Sequence, residues 1–402
     1  MTGSTRPEVE IARFAIALMA MLASITPSAA DCAKPSDTHI LGFPVWSTDP
    51  NEGTTWGGMP VLLRTCPADE RTEWIFAPSV TWNSVIRYTG TLRLYAYPDR
   101  NTSLTVIASA STHINYRAYV EWRREGTWTH ELMGRVQRNV FARFYGIGPD
   151  TPESAASSFT GRRAFAIARE GRTVGGALNV GLTLGVERDG IEDIGVPGLP
   201  LAPEMFPEIP GMHGTTTLIW QGLDLRYDDR DGGDYASGGL RMQLSGALVE
   251  GISGTPTFLR ANAQASQIVP ELSWLSGAWR FYWNAVSSSK IPFYQQSELG
   301  GPFLLRGFAD GRFVARQAWT VEVEQRVRLL ETHFFGVTTD WRIDPFVATG
   351  QVFDSVDGAF SHPRLAVGLG LRAFVHPNIL ARIDLANAGE GTNVYVEIGY
   401  PY

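Results

Sequence analysis

The chain has 402 residues, a formal net charge of −7, and 34 basic side chains against 41 acidic ones with no basic block, which argues against nucleic acid as a partner. Its length alone suggests two or three soluble domains. However, no segment after the first thirty residues contains 18 consecutive apolar residues, which excludes a helical membrane protein, and aromatic residues and glycine are plentiful while lysine is nearly absent.

Arg6 and Arg13 precede an apolar run from Phe14 to Ile25, followed by Pro27 and the small residues Ser28-Ala29-Ala30. This is the pattern of a secretory signal, too short to span a bilayer as a helix, and residues 1–30 are predicted to be cleaved. Asp31 before Cys32 occupies the place where a lipobox wants a small residue, so Cys32 is not expected to carry lipid. Cys32 and Cys66 both enter an oxidising compartment, where a disulfide between them is expected. Two cysteines are too few for a metal site, and neither metal nor cofactor is expected. Residues 31–53 read as a short periplasmic segment ahead of a β domain over 54–402.

From residue 54 onward, period-two alternation dominates. In Val174–Val186, one face carries Val174, Leu178, Val180, Leu182, Leu184 and Val186, and the other carries glycine, Asn179 and Thr183. Trp319, Val321, Val323, Val327 and Leu329 oppose Thr320, Glu322, Glu324, Arg326 and Arg328. The pattern recurs with Leu365, Val367, Leu369 and Leu371 against Gly368, Gly370 and Arg372, and with Ile383 and Leu385 against Arg382 and Asp384. A soluble sandwich also alternates, but its strands are shorter, whereas a membrane strand needs about 9–11 residues. Strands in lipid must close on themselves, because hydrocarbon satisfies no open edge. The pattern therefore predicts an all-β, transmembrane antiparallel β-barrel with an apolar exterior and a wet lumen. Seventeen candidate strands lie between 54–65 and 393–402. Because single-chain bacterial barrels carry an even number, about sixteen are predicted. The segment 54–65, interrupted by Pro60, and the junction near Asn115 are the weakest. The long connections 187–213 and 288–316 fall on the extracellular side, and the turn starting at Tyr227 falls on the periplasmic side.

The stretch LGGPFLLRGFADGRF, Leu299 to Phe313, resembles part of the C-terminal barrel of BamA/TamA-type outer-membrane proteins, the bacterial surface antigen family. Further matching pieces are Glu324–Arg326, the YDDRD turn at Tyr227–Asp231, FYGIGPDT at Phe144–Thr151, and the ending VYVEIGYPY. The resemblance implies that the 288–316 loop folds back into the lumen with Arg306, Gly307 and Phe308 at its tip. Gly300 and Gly301 permit tight turns there, and the guanidinium would fork onto carboxylates, with Glu322 and Glu324, beside Arg326, the nearest candidates. One departure stands out: the family often places an aspartate where FVATG here has Ala348. The resemblance also implies a C-terminal insertion signal ending in Tyr400 and Tyr402, which equally suit an aromatic girdle. Only residues 31–53, or 31–72 at most, precede the barrel, so no POTRA domain is expected.

No G-x-S-x-G elbow, H-E-x-x-H or phosphate-binding glycine loop occurs. His113 near Ser111 is a nominal phospholipase-like pair, and an enzyme is not expected. The lumen charges Glu322, Glu324, Arg326, Arg328, Arg372, Arg382 and Asp384 suit either mutual pairing or solute selection. The leading expectation is a barrel that handles outer-membrane proteins or lipids. Its expected partners are outer-membrane lipid, the barrel-assembly machinery during its own insertion, and a separate periplasmic protein. A passive solute pore and a structural or adhesive barrel are the alternatives.

Overall fold

The computed structural model of the chain describes residues 36–66, 71–232, 236–252, 254–334, 337–375 and 379–398. The expected signal, Cys32, Tyr400 and Tyr402 lie outside the described residues. Cys66 is buried and disulfide-bonded.

The strands, in chain order, are β1 (Asp37–Asp49), β2 (Gly53–Cys66), β3 (Arg71–Phe76 continuing as Ser79–Asn83), β4 (Arg87–Asp99), β5 (Thr102–Ser111) and β6 (Tyr116–Arg124). They continue as β7 (Trp128–Phe144), β8 (Ser157–Val174), β9 (Leu178–Glu192), β10 (Thr215–Asp228), β11 (Gly239–Ile252) and β12 (Phe258–Leu272). The remainder are β13 (Leu275–Val286), β14 (Gln317–Phe334), β15 (Val337–Phe353), β16 (Arg364–Val375), β17 (Ile379–Asn387) and β18 (Thr392–Ile398). The two parts of β3 both pair with β2 on one side and β4 on the other, so they form one strand broken at Ala77-Pro78. Proline has no N–H to give a ladder, and a break there is its usual consequence. Each strand pairs antiparallel with its neighbour, and a contact between β1 and β18 closes the ring.

Side chains sort as period-two patterning requires. On β9, Leu182 and Leu184 point outward and are 60% and 63% exposed, while on β14 Glu322 and Glu324 point inward and are buried. Outward-facing Val323, Val347, Leu365 and Ile383 are likewise exposed. An apolar exterior around buried charges inverts a soluble protein and is the expected arrangement in hydrocarbon.

The ring has eighteen staves, which corrects the expected sixteen. All seventeen candidates form strands, including the segment with Pro60, which lies opposite Gly42. Near Asn115, a turn with Ile114 at φ 70° separates β5 from β6. The eighteenth strand is β1, inside the segment expected to be a periplasmic lead-in, so the barrel begins at Asp37 rather than 54. Its alternation was hidden because both faces are apolar: Leu41 and Phe43 join a lumen cluster with Val61, Leu63 and Ile75, while Ile40 and Trp46 face outward. With an even number of staves, Asp37 at the start of β1 and Ile398 at the end of β18 fall on one side. The connections 145–156, 193–214 and 287–316 lie together on the other side.

At the opposite rim, Tyr227–Asp231 forms a self-contained turn. Arg230 forks onto Asp228, and Tyr227 donates to Asp229. The backbone N–H of Leu240 and the Tyr227 hydroxyl hold the Asp229 carboxyl below its ordinary range.

Candidate functional site

The loop between β13 and β14 enters the lumen as a short hairpin, Ser297–Leu299 paired with Phe313–Ala315. Gly300 accepts the first sharp turn at φ 123°, and a Cβ there would lie 1.9 Å from the Ala309 carbonyl oxygen. Gly307, at φ 108°, lets the tip approach the backbone of Asn387 and Ala388. Replacing Gly300 with alanine should therefore open the hairpin at a cost of at least about 1–3 kcal/mol. Limited proteolysis of the purified barrel is expected to cut within 288–316 in this variant and to spare the parent.

Beyond that turn, Arg306 is wholly buried against the inner wall. Its guanidinium lies 2.8 Å from Glu322 and 3.5 Å from Glu324, both on β14, and 3.0 Å from Asp384 on β17. It stacks on the ring of Phe346, 3.5 Å from the centroid. The wall beneath is a charge lattice. Arg372 meets Asp344 at 3.1 Å and Asp384 at 2.8 Å, Arg382 meets Asp384 at 2.7 Å, and Arg326 meets Glu324 at 2.9 Å. Four carboxylates thus face four guanidiniums. Buried charges persist only when paired and hydrogen-bonded in this way.

The tip also grips the closing strand. Asn393 of β18 donates to the Gly307 carbonyl, and the Tyr395 hydroxyl donates to the Phe308 carbonyl at 3.2 Å. Leu305 and Phe308 pack with Phe313, Ala318, Ala348 and Ala366. A second anchor follows at Arg312, which forks onto Glu390, bonds Thr151, and lies over Tyr145 and Phe313. Gly148 donates to Val314 at 2.7 Å, so the FYGIGPDT segment forms the other side of the loop's seat.

The structure therefore brings Arg306, Gly307 and Phe308 together with Glu322, Glu324 and Arg326. Sequence reasoning had placed Asp384 among the lumen charges without assigning it to Arg306, and it missed Phe346, Asn393, Tyr395 and the Arg312–Glu390 pair. Ala348, where an aspartate was expected, packs under the loop, and the carboxylate comes from Asp384 two staves away. The inward parity of Tyr395, opposite outward Val394 and Val396, was a signal in the sequence. Ser111 donates to the backbone carbonyl of His113, so this contact does not involve the imidazole.

This geometry defines a class: an outer-membrane β-barrel of the kind whose extracellular loop is latched inside its own lumen. The model of the Omp85 superfamily domain matches residues 100–398, and the chain belongs to that superfamily. No curated protein matches the sequence. Among solved structures, the chain is similar to BamA from Haemophilus ducreyi lacking POTRA domains 1–3, at 13% identity and TM-score 0.54, over 89% of this chain and 74% of that one. It also aligns with CdiB from Acinetobacter baumannii at 14% identity and TM-score 0.46, and with CdiB from Escherichia coli at 11% and 0.48. It covers 91% of its own length in each and spans only 60% and 62% of those chains. The protein resides in the bacterial outer membrane. Among the described residues, β1 is the only regular element before β2, and no POTRA domain is present.

Proposed function

We propose that this barrel handles outer-membrane proteins or lipids by opening sideways at the seam between β1 and β18, with the loop latch controlling that seam. The observation carrying the proposal is the contrast in pairing. Among the described residues, Thr48↔Val394 is the one ladder position joining β1 to β18, whereas β17 and β18 pair from Ala381↔Ile398 to Asn387↔Thr392. Each missing rung removes inter-strand hydrogen bonds that hydrocarbon does not replace. The latch holds the seam from inside, because Asn393 and Tyr395 bind the Arg306 tip from the strand that forms one lip. Asp49, next to Thr48 on the other lip, turns into Asn51, whose amide donates to the Asp310 carbonyl of the same loop. Both lips are thus tied to one plug.

In this reading Arg306, Gly307 and Phe308 are the latch, Glu322, Glu324 and Arg326 belong to its keeper, and no residue is catalytic. Tyr400 and Tyr402 serve the barrel's own insertion by the assembly machinery. A separate protein supplies periplasmic capture, and a Cys32–Cys66 bridge ties the start of the chain to the foot of β2. The test is a cysteine pair, Thr48→Cys with Val394→Cys. Oxidation is expected to close the seam, detected by altered mobility, and to change the protein or lipid content of the outer membrane as deletion of the gene does. An oxidised seam that leaves that composition at its parental level refutes the proposal. In planar bilayers, small flickering currents that grow with Arg306→Ala are expected, while a large steady current indifferent to that change would support a passive pore.

A further inference from the structure

Half the ring away from β16, the lumen wall carries a second charged array of different character. Across β6, β7 and β8, arginines alternate with aromatic rings. The Arg117 and Arg135 guanidiniums lie 5.7 and 5.3 Å from the Tyr119 ring, and Arg135 and Arg163 lie 5.4 and 6.0 Å from Phe165. Register explains the ladder: Tyr119 pairs with Arg135, and Arg135 pairs with Phe165. One end is neutralised, since Arg163 pairs with Glu187 and Asp189. The other is not. Arg117 and Arg135 have no carboxylate within 4 Å among the described residues, and the buried Nε of each meets no hydrogen-bond acceptor there. Glu121 is occupied by the Tyr119 hydroxyl at 2.6 Å, and the guanidinium of neighbouring Arg93 donates to the Ser79 hydroxyl, with no carboxylate within 4 Å among the described residues. Glu397 on β18 faces Arg93 and Arg117 from beyond ion-pair distance.

The latch wall and this wall therefore differ in chemistry. In the first, Arg306, Arg326, Arg372 and Arg382 each have a carboxylate. In the second, adjacent cations share one aromatic ring and still have donors to give. Rings hold guanidinium planes in place by cation–π attraction, which fixes the fork before any ligand arrives. A guanidinium fork matches the oxygens of phosphate and carboxylate. A lumen bordered by low-dielectric walls also concentrates the oppositely charged ion.

We infer that Arg117 and Arg135, aligned by Tyr119 and Phe165 and flanked by Arg93, form an oxyanion-binding site in the lumen that takes a phosphate-bearing ligand. This inference is independent of the seam reading, because it requires no opening of the barrel. The test is binding of inorganic pyrophosphate to the purified full-length barrel in neutral detergent, followed by calorimetry at low salt. Binding is expected to fall at least about tenfold in the double variant Arg117→Ala/Arg135→Ala. It is expected to remain in Arg124→Ala, which removes an exposed arginine at the end of β6. Equal binding by the parent and the double variant overturns the proposal, as does no binding by the parent. Should the double variant fail to fold, Arg135→Lys keeps the charge but loses the fork. Its binding should drop several-fold, and an unchanged value is equally fatal. Repeating the titration in phosphatidylglycerol vesicles and in phosphatidylcholine vesicles separates two sources of the same chemistry. Loss of pyrophosphate binding only in the anionic vesicles assigns the site to a lipid headgroup, and retention in both assigns it to a soluble phosphate.

Discussion

Arg306→Ala is expected to release the loop from the lumen and to destabilise the barrel by about 3–5 kcal/mol, the usual cost of removing one partner from a buried ionic cluster. The substitution takes away a cation lying between Glu322 and Asp384 and leaves four carboxylates facing three guanidiniums. It also uncovers the Phe346 ring. The remaining ties at the tip, from Asn393 and Tyr395 to backbone carbonyls, are ordinary hydrogen bonds worth about 1 kcal/mol each, too little to offset the loss. The unfolding midpoint in urea and protease access to 288–316 measure the two effects together. Arg306→Lys should recover only part of the stability, because an ammonium neither forks between separated carboxylates nor stacks as a flat group. A variant with parental stability and a protected loop contradicts the latch.

How much of this was legible beforehand follows from where each residue sits. The outward Leu and Val rows of β9, β14 and β16 announce themselves because their opposite faces are polar or glycine. β1 does not, since its lumen face is apolar and Pro44 interrupts it. The same property that hides it in the sequence lets it pack against Val61 and Leu63 in the fold. The half of the latch keeper on β14 was readable because Glu322 and Glu324 follow the loop by a few residues. Asp384 was not assigned to Arg306 because 78 positions separate them and only closure of the ring brings β17 under the loop tip. The family expectation of an aspartate at 348 pointed to the right charge on the wrong stave. In the N-terminal half, nothing in the spacing of Arg117, Arg135 and Arg163 ties them together, and only the register lines them up with Tyr119 and Phe165.

The largest single effect is expected at Asp384, which the sequence did not assign to Arg306. One of its oxygens accepts Arg306 at 3.0 Å and Arg372 at 2.8 Å, and the other accepts Arg382 at 2.7 Å. Asp384→Ala therefore leaves three fully buried guanidiniums around an empty centre. Arg306 retains Glu322 and Arg372 retains Asp344, but Arg382 has no other carboxylate within 4 Å among the described residues. Repulsion among the three cations adds to the lost pairing. The loss should thus exceed that of Arg306→Ala and reach or pass about 5 kcal/mol. Asp384→Asn should be nearly as harmful, because an amide offers one acceptor oxygen and turns an N–H donor toward cations that have only donors. The decisive measurement is the double-mutant cycle with Arg306→Ala. Removing the cation relieves part of the repulsion created by removing the anion. The double variant should therefore be more stable than the sum of the two single losses predicts, by about 1–3 kcal/mol. Strict additivity of the two losses would mean that Arg306 and Asp384 do not meet in the membrane, and the latch would need another keeper.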